Sequence, residues 1–432
     1  MALDSRTRLY RVCDPSEPIG PDDPRHVNFD EVRGNNVVAE LADSIQLAGD
    51  KIAKPYLFPG HRGVGKTSEL LRLKKLLEKG SFHVVMFDVQ DALDVNDLDF
   101  PDLMVCIAAE IQGQLKAASI SGFSATTTLL RRWWDELLGF LGSEVTIKKD
   151  IELDAGFGKL ALELKNRPNA RAMLREKIES RASDLLAAVN DLLGTASLAL
   201  QRAGRAGLVV LIDGLDKLVF RHLPNGTNTH DRLFHDRCEQ MAELKAHIVY
   251  TVPISMIYSP RCSQIEQTFA AFHRTVAMIR VRGENKAPVT PQTLGMQKLW
   301  EMVQCRCKNA EVDIGAAFDA EGTCHYLCEM SGGHPRHLLM FLQSALAKVR
   351  ALPITRTAAE QAVRDYRNAL QREVPTDFFP ELEKFRQPQF DIPKDEKHQQ
   401  MMFYLHVFEY MNDRQWYEVN PVLRELLPPV VS

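Results

Sequence analysis

The chain has 432 residues, 45% of them apolar and 25% charged, which is enough hydrophobic material for large cores and excludes a disordered composition. A formal net charge of −4 and a pI near 6.4 exclude the overall basic footprint of a protein that coats nucleic acid, leaving only a local patch open. No apolar run approaches the ~18 residues needed to cross a bilayer, and Met1–Arg6 lacks the apolar stretch of a signal peptide. Eight scattered cysteines match usage in a reduced compartment, so a cytoplasmic location without membrane contact is expected.

In chain order, residues 1–35 are punctuated by Asp14-Pro15, Gly20-Pro21 and Asp23-Pro24 and read as an extended arm. Val37, Leu41, Ile45 and Ala48 mark a helix over about 36–50. A strand at Tyr56–Phe58, a Gly-rich turn, a helix from Lys66 to about Lys79 and a buried strand at Phe82–Val89 follow. After an acidic loop (Asp91, Asp94, Asp97, Asp99), Leu103, Ile107 and Ile111 mark the next helix. Helices between buried strands predict a parallel α/β sheet.

Residues 120–205 interrupt that alternation with Trp133-Trp134, a predicted hairpin pairing Val145–Leu153 with Lys159–Lys165, and a helix over about 170–202. The sheet resumes at Gly207–Asp213 and His247–Pro253 and closes at Thr275–Arg280, five strands in all. Residues 291–372 read as helices, and Pro375, Pro380, Pro388 and Pro393 as a linker. A helix over about 395–411 and a strand at Gln415–Val419 end the chain. The resulting division is an arm (1–35), a core (36–285) with an insertion (120–205), a helical unit (286–375) and a small C-terminal unit (376–432).

Gly60-His61-Arg62-Gly63-Val64-Gly65-Lys66-Thr67, followed by Ser68, fits G-x-x-x-x-G-K-[ST] in full. Glycines let backbone N–H groups turn inward as an anion nest, and the following helix adds the positive end of its dipole. Lys66 is placed to reach the β- and γ-phosphates and Thr67 to ligate Mg²⁺. The partner motif is an acidic residue ending a buried strand. Leu208–Ile212 followed by Asp213 supplies it, with Asp213 expected to hold Mg²⁺ opposite Thr67. Asp216, three residues on, reads either as the base that activates the attacking water or as a solvated or helix-capping carboxylate.

With these motifs, the chain resembles the STAND class of signal-transducing ATPases and the initiator-type AAA+ ATPases over roughly residues 27–427. Leu211-Ile212-Asp213-Gly214-Leu215-Asp216 looks like the STAND acidic motif. Ile248–Pro253 looks like a sensor strand with Thr251 able to feel the γ-phosphate. Ser331-Gly332-Gly333-His334-Pro335-Arg336 resembles the Gly-x-Pro motif, whose proline packs near the adenine. Arg414–Pro421 resembles the end of a winged-helix-like module. The resemblance implies a P-loop NTPase with a five-stranded parallel sheet, a helical lid and a winged-helix-like tail, using ATP and Mg²⁺. It further implies a switch that works through a homo-oligomer or a separately encoded protein partner, with a DNA-associated initiator or loader as the alternative. Two departures stand out. Gly214 occupies the position where AAA+ proteins carry a Glu, which implies slow hydrolysis, and Arg33-Gly34-Asn35 reverses the order of the pre-core Gly-Arg.

Arg274 falls where AAA+ proteins place an arginine finger, with a surface arginine as the other reading, and Arg336 reads either as a second sensor or as a helix-surface residue. Cys305, Cys307, Cys324 and Cys328 are poorly spaced for zinc and read as buried thiols. The basic residues Lys148, Lys149, Lys159, Lys165, Arg167, Arg171 and Arg175 interleave with acidic ones and read as a solvated mixed-charge face rather than a nucleic-acid surface.

Overall fold

The computed structural model describes residues 3–124, 127–141, 158, 161, 165–166, 171–172, 175–176, 181–224, 226–269, 275–283, 287–387 and 390–428. Four parallel strands, β1 (Pro55–Gly60), β2 (His83–Asp88), β3 (Leu208–Asp213) and β4 (His247–Pro253), form the central sheet in the order β1-β4-β3-β2. Both faces are covered, as a parallel sheet requires. Leu208, Val210 and Ile212 pack toward one layer, while Val209 and Leu211 pack toward the other. The second layer holds α2 (Val37–Ala48) and α3 (Lys66–Lys79). The first holds α4 (Phe100–Ala117), α5 (Thr128–Leu141) and α6 (Ala182–Arg202), with Trp133 and Trp134 buried in it.

The predicted fifth strand is only a bridge. Val276 N donates to Pro59 O (2.8 Å), Met278 N to Glu409 O (3.1 Å) and Arg280 N to Val32 O (2.9 Å), so three partners divide its backbone bonds. The sheet therefore has four strands. The predicted hairpin also fails where it can be judged. Gly158, Ala161, Lys165 and Asn166 are helical, and Val145–Leu153 lies outside the described residues. Of the basic residues there, Lys148, Lys149, Lys159 and Arg167 lie outside the described residues, and the other three are engaged rather than free in solvent. Arg171 is buried and pairs with Asp94 and Asp97, Arg175 pairs with Asp97 and Asp102, and Lys165 donates to Gln90 O and Asp91 O.

A separate core is built from α7 (Leu294–Asn309), α8 (Glu321–Met330), α9 (Pro335–Lys348) and α10 (Arg356–Glu373). The N-terminal arm belongs to it rather than hanging free. Ser5–Val12 is a helix, α1, with Leu9 buried, and Cys13, Val27 and Phe29 enter the same cluster. The proline-marked stretch after α10 likewise buries Phe378, Leu382 and Phe385 there.

The last α-helix, α11 (Glu396–Phe403), stops there instead of continuing to about 411, because Leu405 adopts a left-handed φ of +62°. An antiparallel hairpin, β5 (Val407–Met411) with β6 (Gln415–Val419), follows. Phe408, Tyr410 and Trp416 pack into the sheet-side core, whereas Val407 and Val419 pack into the helical core. Alternation along two short strands thus wedges the hairpin between the two bodies. Phe408→Ala is expected to destabilise the whole chain by about 3–5 kcal/mol, while Leu47→Ala, at an exposed position, leaves stability unchanged. Denaturant titrations followed by far-UV circular dichroism check both, and loss confined to the C-terminal hairpin would contradict this packing.

Candidate nucleotide site

The turn between β1 and α3 carries Gly63 and Gly65 at φ +85° and +106°, a left-handed path that L side chains rarely adopt. A Cβ on Gly63 would also stand 2.8 Å from His334 Cε1. The chain then enters α3 with Lys66, which is buried. Its ammonium donates to Gly60 O (2.7 Å) and His61 O (2.8 Å) and pairs with Asp216 Oδ2 (2.9 Å). All three N–H groups are used. Burial lowers its pKa below the ordinary lysine value, against the pull of Asp216 and Asp213.

Thr67 Oγ1 donates to Asp213 Oδ2 at 2.6 Å, and Gly214 N donates to Asp213 Oδ1 at 2.8 Å. Burial, then the neighbouring Asp216 carboxylate, raises the pKa of Asp213. A glutamate at residue 214 would be strained: its φ is +82°, and a Cβ would stand 2.1 Å from Asp88 Oδ1, which would have to move. Asp216 therefore supplies the second carboxylate at the edge of β3. The hydroxyl of Thr67 and the carboxylate of Asp213 are hard oxygen donors suited to Mg²⁺. The inward backbone turn, Lys66 and the α3 N-terminus suit a phosphate chain.

Three other segments close the pocket over this edge. Residues 15–29 contribute Pro15, Ile19, Val27 and Phe29, α7 contributes Met302 and Arg306, and α9 contributes Pro335, Arg336 and Leu339. The N-terminal segment is held down by Ile19 N donating to Ser68 Oγ (3.2 Å) and Arg336 Nε donating to Pro15 O (3.3 Å). Arg25 braces it from within, bonding both oxygens of Glu17 at 2.6 and 2.7 Å as well as Asp23. The buried Arg33 donates to Val64 O (2.8 Å) and Ala277 O (3.0 Å), fixing the turn to the segment beside β1.

Of the residues singled out in the sequence, Arg62, Gly63, Val64, Gly65, Lys66, Thr67, Ser68, Asp213, Asp216, Pro335 and Arg336 surround one pocket. Gly60 and His61 are not walls of it. The His61 ring is fully buried behind the turn, where its Nε2 accepts from Glu409 N (2.9 Å). Thr251 does not face the pocket either. Its hydroxyl accepts from Leu215 N and donates to Ile212 O, both at 3.2 Å, so it props the Asp213–Asp216 turn from beneath. Arg274 lies outside the described residues. The walls at Pro15–Phe29, Met302, Arg306 and Leu339 carry no motif; only the contacts of the folded chain bring them to the site.

Behind the turn, His334 Nε2 donates to Arg62 O (2.9 Å), its Nδ1 accepts from His337 N (3.1 Å), and the two rings stack at 3.8 Å. Burial drives His61 and His337 well below the usual histidine range and His334 down to about 3, so all three are neutral at pH 7.

No family model matches the sequence, and no curated protein matches it. Among solved structures, the chain is similar to a Walker-type ATPase of Pyrococcus abyssi. The two are 11% identical with a TM-score of 0.43, over 95% of this chain and 98% of that one.

The titration of Glu409, which accepts the Tyr258 hydroxyl, tests the wall behind the turn. Burial pushes its carboxyl from 4.5 up to about 7. The native state keeps a proton that the unfolded state releases across that window, so this group's contribution is fully present below 4.5 and is lost as pH rises to about 7. Glu409→Gln is expected to gain stability over the parent at about pH 8 and little at about pH 4.5, read from denaturant midpoints. An equal difference at both pH values would contradict it.

Proposed function

We propose that this chain is a cytoplasmic, Mg-ATP-binding molecular switch of the STAND type that hydrolyses ATP slowly and signals through oligomerisation or a protein partner. The observation that carries the reading is the convergence of Lys66, Thr67, Asp213 and Asp216 on one pocket at the carboxyl edge of a parallel sheet. The backbone of Arg62–Gly65 and the Lys66 ammonium bind the phosphates, while Thr67 and Asp213 hold Mg²⁺. When bound, that ion neutralises charge developing on the phosphate oxygens.

Asp216 accepts a proton from the attacking water as its oxygen bonds to the γ-phosphorus and the bond to the β–γ bridging oxygen breaks, leaving ADP and phosphate. Slow turnover has a physical basis. The position after Asp213 is a glycine in a conformation that disfavours any side chain, and Asp216 is engaged by Lys66, so the phosphates must draw Lys66 away before Asp216 can take the proton. Arg336 is the cation of the lid that senses Asp213 and Asp216. It is placed to follow the charge lost when phosphate leaves. His334 and Glu409 join the lid and the hairpin to the same turn, which supports transmission of that change to a partner surface.

Nucleotide binding and turnover by the wild type beside three variants test the reading. Lys66→Ala and Asp213→Ala are expected to weaken Mg-ATP binding by about 100-fold or more. Asp216→Asn is expected to keep binding within a few-fold and lose turnover by about 100-fold. Wild-type protein that binds no nucleotide, or variants that all behave like it, would overturn the proposal.

A further inference from the structure

The two ends of the pocket differ in chemistry. At the phosphate end, Arg336 senses Asp213 and Asp216. Arg306 instead stands on the last turn of α7, on the side of the N-terminal segment: just beyond it Ala310 O accepts from Arg8 Nε (2.8 Å), and Arg25 and Val27 share its stretch of the lining. Ile19, Val27, Phe29, Met302 and Leu339 give the pocket apolar walls suited to a flat ring. Arg306 shares that lining yet is only 4% exposed.

Its Nη1 donates to Met302 O (3.1 Å) within its own helix, and its buried Nε–H has no acceptor among the described residues. The charges around it oppose one another: Arg25 repels it, while the Asp23 carboxylate, already bonded to Arg25, attracts it. A buried guanidinium with an unused donor is costly, and a ligand that brings an acceptor removes the cost.

Resting on the nucleotide reading above, we infer that Arg306 reads the base, donating from its guanidinium to a ring nitrogen of adenine. Adenine fits better than guanine. Guanine presents N–H groups that call for a free carboxylate, and Glu17 and Asp23 at this end are both taken by Arg25. A site built around one buried donor also rejects analogues lacking the matching acceptor more strongly than an apolar slot could. Arg306 is thus a specificity-determining residue on the lid, remote in sequence from the phosphate loop.

Equilibrium binding of ATP and its 1-deaza, 3-deaza and 7-deaza analogues to the full chain with Mg²⁺ tests this. Each analogue replaces one ring nitrogen by C–H. One of the three is expected to bind about 10- to 100-fold more weakly than ATP, with the other two within a few-fold. Arg306→Met is expected to bind ATP as weakly as the parent binds that analogue, and to lose the discrimination. Inorganic tripolyphosphate is expected to bind both proteins alike.

ATP binding by the wild type with all three analogues equal to it would overturn the assignment of Arg306 while leaving the nucleotide reading intact. So would an Arg306→Met protein that still discriminates. Failure of the wild type to bind either ATP or tripolyphosphate would overturn the nucleotide reading and this inference with it. The analogue series needs no variant, so a misfolded Arg306→Met leaves the wild-type result decisive.

Discussion

The arrangement depends on holding a left-handed, glycine-dependent turn rigid from behind. Free loops of this kind sample many conformations, and each ordered residue costs about 1–2 kcal/mol of backbone entropy. Here the turn is clipped at its carbonyls and side chains: Arg62 O by His334, Val64 O by Arg33, and the His61 ring by Glu409 N. Each clip is a buried hydrogen bond whose loss would strand a polar group, at about 1–3 kcal/mol. The imidazoles serve because they are neutral. With the His334 and His337 rings stacked at 3.8 Å, neither can carry charge without repelling the other in a medium that already disfavours it.

The buried Lys66–Asp216 pair obeys a different logic. Removing both charges from water costs more than their attraction reliably returns, so such a pair is weak evidence for stability. Its geometry is better understood as readiness. Lys66 is already desolvated and held by two carbonyls, so on the proposed function an anion has only to take the place of Asp216. Thr67 and Asp213 are likewise aligned through their own hydrogen bond. A ligand competes with one carboxylate instead of stripping water from a free ammonium, the kind of preorganisation that makes a small number of charges effective.

Much of the sheet and the phosphate end was legible in the sequence, because their signals are local. A glycine pattern dictates a turn, five apolar residues ending in Asp213 dictate a buried strand, and an uninterrupted periodic stretch dictates the helix from Lys66 to Lys79. What failed was decided by tertiary contact. Thr275–Arg280 has the alternation of a strand, but Pro59, Glu409 and Val32 compete for its backbone. The proline-rich start encodes an irregular path and says nothing of where that path docks, so its role as a pocket wall was invisible. Between Met401 and Met411 the residues are apolar at both helical and strand spacing. The left-handed Leu405 settles the matter, and no composition rule would place a leucine there. For Thr251, sequence gives the strand, while the hydrogen bonds to Ile212 and Leu215 decide which way the hydroxyl points.

Charge balance ties these observations together. The chain as a whole is slightly acidic, with a net charge of −4, yet seven basic and four acidic residues line the pocket. Of the seven, Lys66 has a carboxylate at 2.9 Å and Lys217 has one at 2.8 Å, from Asp88. Arg25 is matched by Glu17 and Asp23. Arg33 has Glu69 only at 3.9 Å. Burial of Arg33, Arg306 and Arg336 pulls their pKa values down, the mark of cations held in a place that disfavours them. Apolar side chains of similar volume in place of these arginines would be at least as stabilising. On the proposed function, a polyanionic ligand would offset the arginines' surplus charge. On that reading, one anion would join the glycine-rich turn, the N-terminal segment and α9, walls that lie far apart in sequence.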